Sequence, residues 1–251
     1  MIDVLAVRTP TIPPATHTNC YRVGDTVIDP ASPYPDEFAR LGAWAGPIRR
    51  ILLTHHHHDH IGGVAALAAS TGAQVWAHPD SRLPFPIDVP VLDGDQIDTG
   101  SGVLVAWHTP GHADGHLVYQ IAGTGEVIAG DLVAGEGTIV LVAPEGNLAA
   151  YLESLSRIGA FATRLWPAHG PAVPGSLAAD YIHHRHRRSD QFVAMLFAHG
   201  PSTPDAIAAE VYASVPGANL ALAASQVRTH LAWLEAAGRV RPLADDRWAA
   251  A

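Results

Sequence analysis

The chain has 251 residues, enough for one large domain or one domain with a small appendage, and its apolar content of 48% excludes wholesale disorder. The formal net charge is −9 and all 15 basic residues are Arg, a balance that argues against tight non-specific nucleic-acid binding, where phosphate neutralisation dominates affinity. The single cysteine, Cys20, excludes an internal disulfide and reads as a small buried residue. The first residues, MIDVLAVRTPTIPP, lack the basic end and apolar core of a signal peptide, and no 18-residue window is uninterruptedly apolar, so the expectation is a cytoplasmic chain without a membrane span.

In chain order, Asp3 to Val7 reads as a first strand broken by Pro10, Pro13 and Pro14. Thr18 to Val23, a Gly24-Asp25 turn and Thr26 to Asp29 read as a hairpin. Asp29, just before Pro30, is expected to be a turn residue, with support of a neighbouring loop as the alternative. Phe38, Leu41 and Trp44 predict a helix over Tyr34 to Ala45, and the continuous apolar run Ile48 to Leu53 predicts a buried central strand. At its end stands THHHHDHIGG, Thr54 to Gly63, with five histidines and an aspartate in six residues, ligand types that zinc prefers near neutral pH. Side chains leaving a strand alternate, so His55 and His57 can aim at one point while His56 and His58 face away. Asp59 and His60 follow as a second pair. The resulting H-x-H-x-D-H, with its Thr before and Gly-Gly after, resembles the signature of the metallo-β-lactamase superfamily.

Downstream, VAALAASTG predicts a short helix ending at Gly72, and Gln74 to Ala77 a strand that leaves His78 at its end as a weaker candidate for the site. Val103 to His108 leads as a strand into TPGHADGH, where His112 is a candidate third ligand. For His116, a role facing the substrate or behind the ligands and a plain structural hydrogen bond both stay open. Leu117 to Ile121 and Glu126 to Ala129 form a hairpin ending at Gly130-Asp131; a helix over Leu148 to Gly159 and a strand over Arg164 to Trp166 precede PAHGP, which carries His169. Beyond Pro174 the pattern turns helical. Ser176 to Phe197 predicts a long helix whose run His183, His184, Arg185, His186, Arg187, Arg188 reads as a solvated face, or else as a phosphate-facing patch. Thr203-Pro204 caps a helix to about Ser214, another runs from Leu220 to Ala237 before Gly238, and Arg239 to Leu243 with Arg247 to Ala249 make a hairpin, the outline of a winged helix.

The superfamily resemblance covers residues 1–175 and implies an α/β fold, an αββα sandwich with metals at one edge, followed by a winged-helix-like domain over 176–251. It further implies that His55, His57 and His112 hold one divalent ion, that Asp59, His60 and His169 hold another, and that Asp131 bridges them. Zinc suits this donor set, and so do iron and manganese. Two such ions can jointly depress the pKa of a shared water towards 7 and clamp an electrophile's oxygen, so no Ser or Cys nucleophile is needed; the expected catalytic residues are Asp59, Asp131 and His116. THxHxDHxGG and TPGH are similar to the glyoxalase II type. GEGT at Gly135 to Thr138, PAHGP at Pro167 to Pro171, YIHHRHRR from Tyr181 and the tail look closer to the lactamase-beta-2-like proteins, which include single-stranded-RNA endonucleases. The resemblance therefore implies a small-molecule thioester or an RNA phosphodiester as substrate, with a β-lactam or lactone as alternative and no stable protein partner. A different class of reading makes the chain a nucleic-acid or carrier-protein binding module with structural metals. Substrate contacts are expected from loops at Pro84 to Val89 and Gly135 to Thr138 and from the tail.

Overall fold

A computed structural model describes residues 1–251 apart from 216 and 218. The chain opens with strands β1 (Asp3–Arg8), β2 (His17–Val23) and β3 (Thr26–Ile28), then helix α1 (Pro35–Ala45) and strand β4 (Arg50–Leu52). A single helical turn, α2 (His58–Ile61), and helix α3 (Val64–Thr71) lead to β5 (Gln74–Ala77) and β6 (Val89–Pro90). These six strands form one sheet in sequence order. The second sheet takes β7 (Gln96–Asp98), β8 (Val103–His108), β9 (Leu117–Ile121) and β10 (Glu126–Gly130) and, after helix α4 (Leu148–Gly159), β11 (Arg164–Pro167) and β12 (Val173–Pro174); its order is β12-β11-β10-β9-β8-β7.

Alternation along the strands makes the layers. Ile28 and Leu52 turn inward to meet Leu104, Leu117, Tyr119 and Ile128 of the second sheet, while Val27, Ile51 and Val75 turn outward under Ala45, Val64 and Leu67 of α1 and α3. On the far side, Val118, Val127 and Leu165 lie under Tyr151, Leu155 and Ile158 of α4. The architecture is thus helix, sheet, sheet, helix. β4 has parallel partners on both sides, β3 and β5, which is why its sequence is a continuous apolar run.

The tail comprises α5 (Leu177–His199), α6 (Pro204–Val211), α7 (Leu220–Ala236) and the hairpin β13 (Val240–Pro242) and β14 (Trp248–Ala250). Thr203 Oγ1 accepts from the Ala206 N–H at the start of α6, the N-cap its sequence predicts. The Arg/His run of α5 is not simply a solvated face. Ala178, Arg185, Ser189, Phe192 and Leu196 are buried and follow one another at helical spacing, so Arg185 points into the core with its guanidinium over the Tyr151 ring at 5.3 Å. Among the described residues no helix is long and apolar enough to cross a membrane.

Tail stability should depend on pH through His230. This side chain is buried, its Nδ1 lies 2.8 Å from Ser189 Oγ, and burial, helped by Arg185 and Arg188, pushes its pKa down to about 3. The unfolded chain takes a proton near pH 6.5 where the folded one does not, so stability is full above 6.5 and falls as pH drops towards 3, by about 2–3 kcal/mol at pH 4.5. His230→Gln has no proton to gain and should flatten that decline in thermal melts; an unchanged slope would refute the assignment.

Candidate metal centre

The expected centre lies where several strands end. Because β8 and β10 both run antiparallel to β9 and β11 runs parallel to β10, these three strands finish at one edge of the second sheet. They deliver His112, Asp131 and His169 there; β4 delivers the histidine run from the first sheet. The strand geometry expected for that run does not hold. β4 stops at Leu52, His57 caps α2, and Asp59 and His60 ride on that helical turn. His56 turns to Glu145, with its Nε2 3.4 Å from Oε1, and His58 lines the cavity in front of the site instead of facing away from it. The turn can lie this close because the chain after it is glycine: a Cβ on Gly63 would stand 2.8 Å from the Pro30 carbonyl oxygen.

Two groups of donor atoms result. In the first, His55 Nε2, His57 Nδ1 and His112 Nε2 lie 3.0, 3.0 and 3.3 Å from one another. Ligands held tetrahedrally at about 2.0–2.1 Å from an ion stand about 3.3–3.4 Å apart, so the spacing fits a bound cation. In the second, His169 Nε2 is 3.5 Å from Asp59 Oδ2, and His60 Nε2 is 4.0 Å from Asp59 Oδ1. Asp131 stands between the groups, with Oδ2 3.4 Å from His112 Nε2 and Oδ1 3.4 and 3.5 Å from the Nε2 atoms of His169 and His60.

The far side of each imidazole fixes what the near side offers. Thr54 Oγ1 donates to Asp29 Oδ2 at 2.6 Å and so accepts from His55 Nδ1–H at 3.0 Å; His60 Nδ1–H donates to the same Asp29 carboxylate at 2.9 Å. His112 Nδ1–H donates to the Val140 carbonyl at 2.9 Å and His169 Nδ1–H to the His17 carbonyl at 3.1 Å. With Nδ1–H committed outward, each of the four rings in its neutral form turns a bare Nε2 lone pair towards the centre. Lone pairs of His55 and His112 at 3.3 Å repel each other unless a cation lies between them. His60 Nε2 and Asp131 Oδ1 are buried without a hydrogen-bond partner, the same requirement in the second group.

The electrostatics agree. Burial, reinforced by neighbouring imidazoles, holds the His55 pKa well below its ordinary value; burial, against the pull of Asp131, brings that of His112 down to about 4, so both rings are neutral donors at pH 7. At His60 burial acts downward, but Asp131 and Asp59 outweigh it and raise its pKa. Burial would raise the Asp131 pKa, yet the facing His169 and His60 hold it well below the carboxylate range. A pocket that stabilises positive charge on His60 stabilises a metal ion equally well.

Three expectations change. Asp29 is not merely a turn residue: its backbone has φ 49°, and its carboxylate takes the Thr54 N–H at 2.8 Å, the Thr54 hydroxyl and His60 Nδ1–H, bracing the loop from behind. His116 does not face a substrate. It is fully buried, with Nδ1 2.8 Å from Thr109 Oγ1 and Nε2 accepting the Asp131 N–H at 3.1 Å, so the direct catalytic role expected of it does not fit; it seats the backbone of Asp131. His78 stacks on His108 with ring centroids 4.1 Å apart and is absent from the cavity lining. Cys20 is buried and free, and burial lifts its thiol pKa to about 12.

In front of the centre lies a cavity of about 760 Å³ with His57, His58, Asp59, His112, Asp131 and His169 on its floor. Its walls come from residues 10–15, from the segment 136–142 and from the tail, through Tyr212, Leu222, Ala223 and Gln226 among others. The loop Pro84 to Val89, expected to contribute, does not line it; the Pro10 to Ala15 loop, whose prolines read as a simple strand break, does.

Residues 13–170 match the Metallo-beta-lactamase superfamily model and residues 203–248 the Beta-lactamase associated winged helix domain. The chain belongs to the metallo-beta-lactamase superfamily. It is 38% identical over 151 residues to a hydroxyacylglutathione hydrolase of Pseudomonas aeruginosa (strain LESB58), a match covering 57% of this chain and 55% of the length of that relative. The similarity to the Beta-lactamase-like protein 2 homolog of Drosophila melanogaster is 30% over 211 residues, 77% of this chain and 70% of that one. Among solved structures, a metallo-beta-lactamase family protein from Thermus thermophilus superposes with a TM-score of 0.86 at 21% identity, over 100% of this chain and 98% of that one, which extends the likeness of fold through the tail.

Proposed function

We propose that this protein is a metal-dependent hydrolase of thioesters, with residues 1–175 as the catalytic domain and 176–251 as a winged-helix domain that closes one side of its cavity. The single observation that carries the metal reading is the set of bare lone pairs facing one another around Asp131. His55, His57 and His112 would hold one ion, Asp59, His60 and His169 the second, with Asp131 between; two ions of the zinc, iron or manganese type fit such donors. Bound there, they supply a water of lowered pKa and polarise the carbonyl. The remaining work belongs to the chain. Asp59, partly exposed on the cavity floor, takes the proton of the attacking water, the acyl carbon gains that oxygen, the C–S bond breaks and Asp59 returns the proton to the departing sulfur.

A thioester is favoured over RNA because no Arg is among the described residues that line the cavity, and Glu136 puts a negative charge there. The similarity to hydroxyacylglutathione hydrolases supports the same reading. One metal-analysed preparation should be assayed on S-acyl glutathione, acyl-carrier thioesters, lactones, a β-lactam and single-stranded RNA, with His57→Ala alongside to expose contaminants. Thioester turnover is expected; turnover of RNA, lactone or β-lactam alone would overturn the proposal.

Asp29→Asn tests the bracing of the loop. Asn tolerates the left-handed backbone but replaces a carboxylate oxygen that receives two protons by a donor or a weaker acceptor. Affinity for the ion beside His60 should fall about tenfold, the low end for loss of a ligand's outer partner. Titration against a chromogenic chelator reads this directly.

A further inference from the structure

We infer that the acyl half of the substrate is an apolar, uncharged chain lying along a wall that the tail shares with two loops of the catalytic domain. This rests on the thioester reading above and names the substrate class within it. Among the described residues eight large hydrophobic side chains are exposed to solvent, and three of them, Ile12, Val142 and Val215, line this one cavity. They come from three separate places in the chain: the proline-rich loop after β1, the segment before α4 and the connection between α6 and α7. Exposed apolar residues that converge on a concave site mark a ligand surface. Leu222 and Ala223 of α7, Ile139 and Val140 continue that surface inward towards His112.

The charges point the same way. A glutathione or nucleotide carrier brings carboxylates or phosphates, yet no Arg stands among the described lining residues and the chain contains no Lys. The charged and titratable lining groups are His57, His58, Asp59, His112, Asp131 and His169 on the floor, with Glu136 and Tyr212 on the wall. An anion on the wall would meet Glu136 and no fixed cation. A hydrocarbon chain there loses only water, and about 760 Å³ leaves ample room for one.

Acyl thioesters of N-acetylcysteamine, a neutral carrier, from acetyl to dodecanoyl give the test, with S-lactoylglutathione as the polar counterpart. The wild-type chain should gain about fourfold in kcat/KM for each methylene that reaches the wall, the factor that about 0.8 kcal/mol per buried methylene gives. Leu222→Asn and Val142→Asn should each lower octanoyl turnover at least tenfold more than they lower acetyl turnover, with melting temperatures checking that both variants fold. A flat chain-length profile, or S-lactoylglutathione turned over better than the octanoyl thioester, would overturn the inference and leave thioester hydrolysis intact. Failure of every thioester by a metal-loaded preparation would instead sink the reading it rests on.

Discussion

Asp131→Ala is expected to bring hydrolysis to background and to strip the protein of metal, with content falling from two ions per chain to one or none. Its carboxylate faces His60, His112 and His169 at 3.4–3.5 Å from both oxygens, and Oδ1 has no other partner. Removing it takes away the carboxylate that faces both donor groups and leaves Asp59 alone against His60 and His169, in a buried place where a cation is poorly stabilised. The backbone there has little freedom to compensate: a Cβ on Gly130, at φ 49°, would lie 2.8 Å from the Thr54 side chain, and the Asp131 N–H is held by His116. His57→Ala should likewise abolish turnover, but by emptying the first donor group while leaving Asp59, His60 and His169 intact. Elemental analysis beside a thioester assay separates the two variants. Full activity retained in either would defeat the assignment of a shared two-ion centre.

How much of this could be seen in the sequence followed from distance along the chain. Four donors fall within six residues, so THHHHDHIGG announced them without a fold, and the apolar run before it announced the central strand. Strand alternation does not choose among its histidines, since β4 ends at Leu52 and a helical turn begins at His58. Asp131 is a Gly-Asp like many others and becomes distinctive only by its order after the other motifs. For Asp29 a carboxylate before a proline favours a turn, with support of the loop only as the alternative; the parallel pairing of β3 with β4 decides for the alternative by bringing it beneath Thr54 and His60. Arg185 had a readable signal that charge obscured: with Ala178, Ser189, Phe192 and Leu196 it falls on one helical stripe, whereas a run of six His and Arg residues suggests a wet face. The lining from Pro10 to Ala15 had no local signature, because a cavity wall is made by what approaches it.

Arg185→Leu is expected to show that the tail helps to build the first donor group. Arg185 is buried, and its guanidinium donates to Gln226 Oε1 at 2.8 Å and to the Ile139 carbonyl. From α7, Thr229 Oγ1 donates to the Leu141 carbonyl at 3.1 Å, and Ser225 Oγ accepts the Ala143 N–H at 3.0 Å. The segment 139–143 is therefore gripped by the tail on one side while its Val140 carbonyl fixes the tautomer of His112 on the other. Leucine fills much of the space but leaves the Ile139 carbonyl without its side-chain donor and Gln226 Oε1 with only the Leu141 N–H at 3.5 Å. The cost is about 3 kcal/mol, two charge-assisted hydrogen bonds at about 1.5–3 kcal/mol each less the relief of no longer burying a charge. Loosening Val140 should lower affinity for the ion at His55, His57 and His112 about tenfold, as loss of an outer partner does, while the ion at Asp59, His60 and His169 is held as before. A two-step chelator titration in which only the first group weakens is the expected result. Should the variant melt early yet titrate like the wild type, the tail would be a cover for the cavity and not a support for its metal.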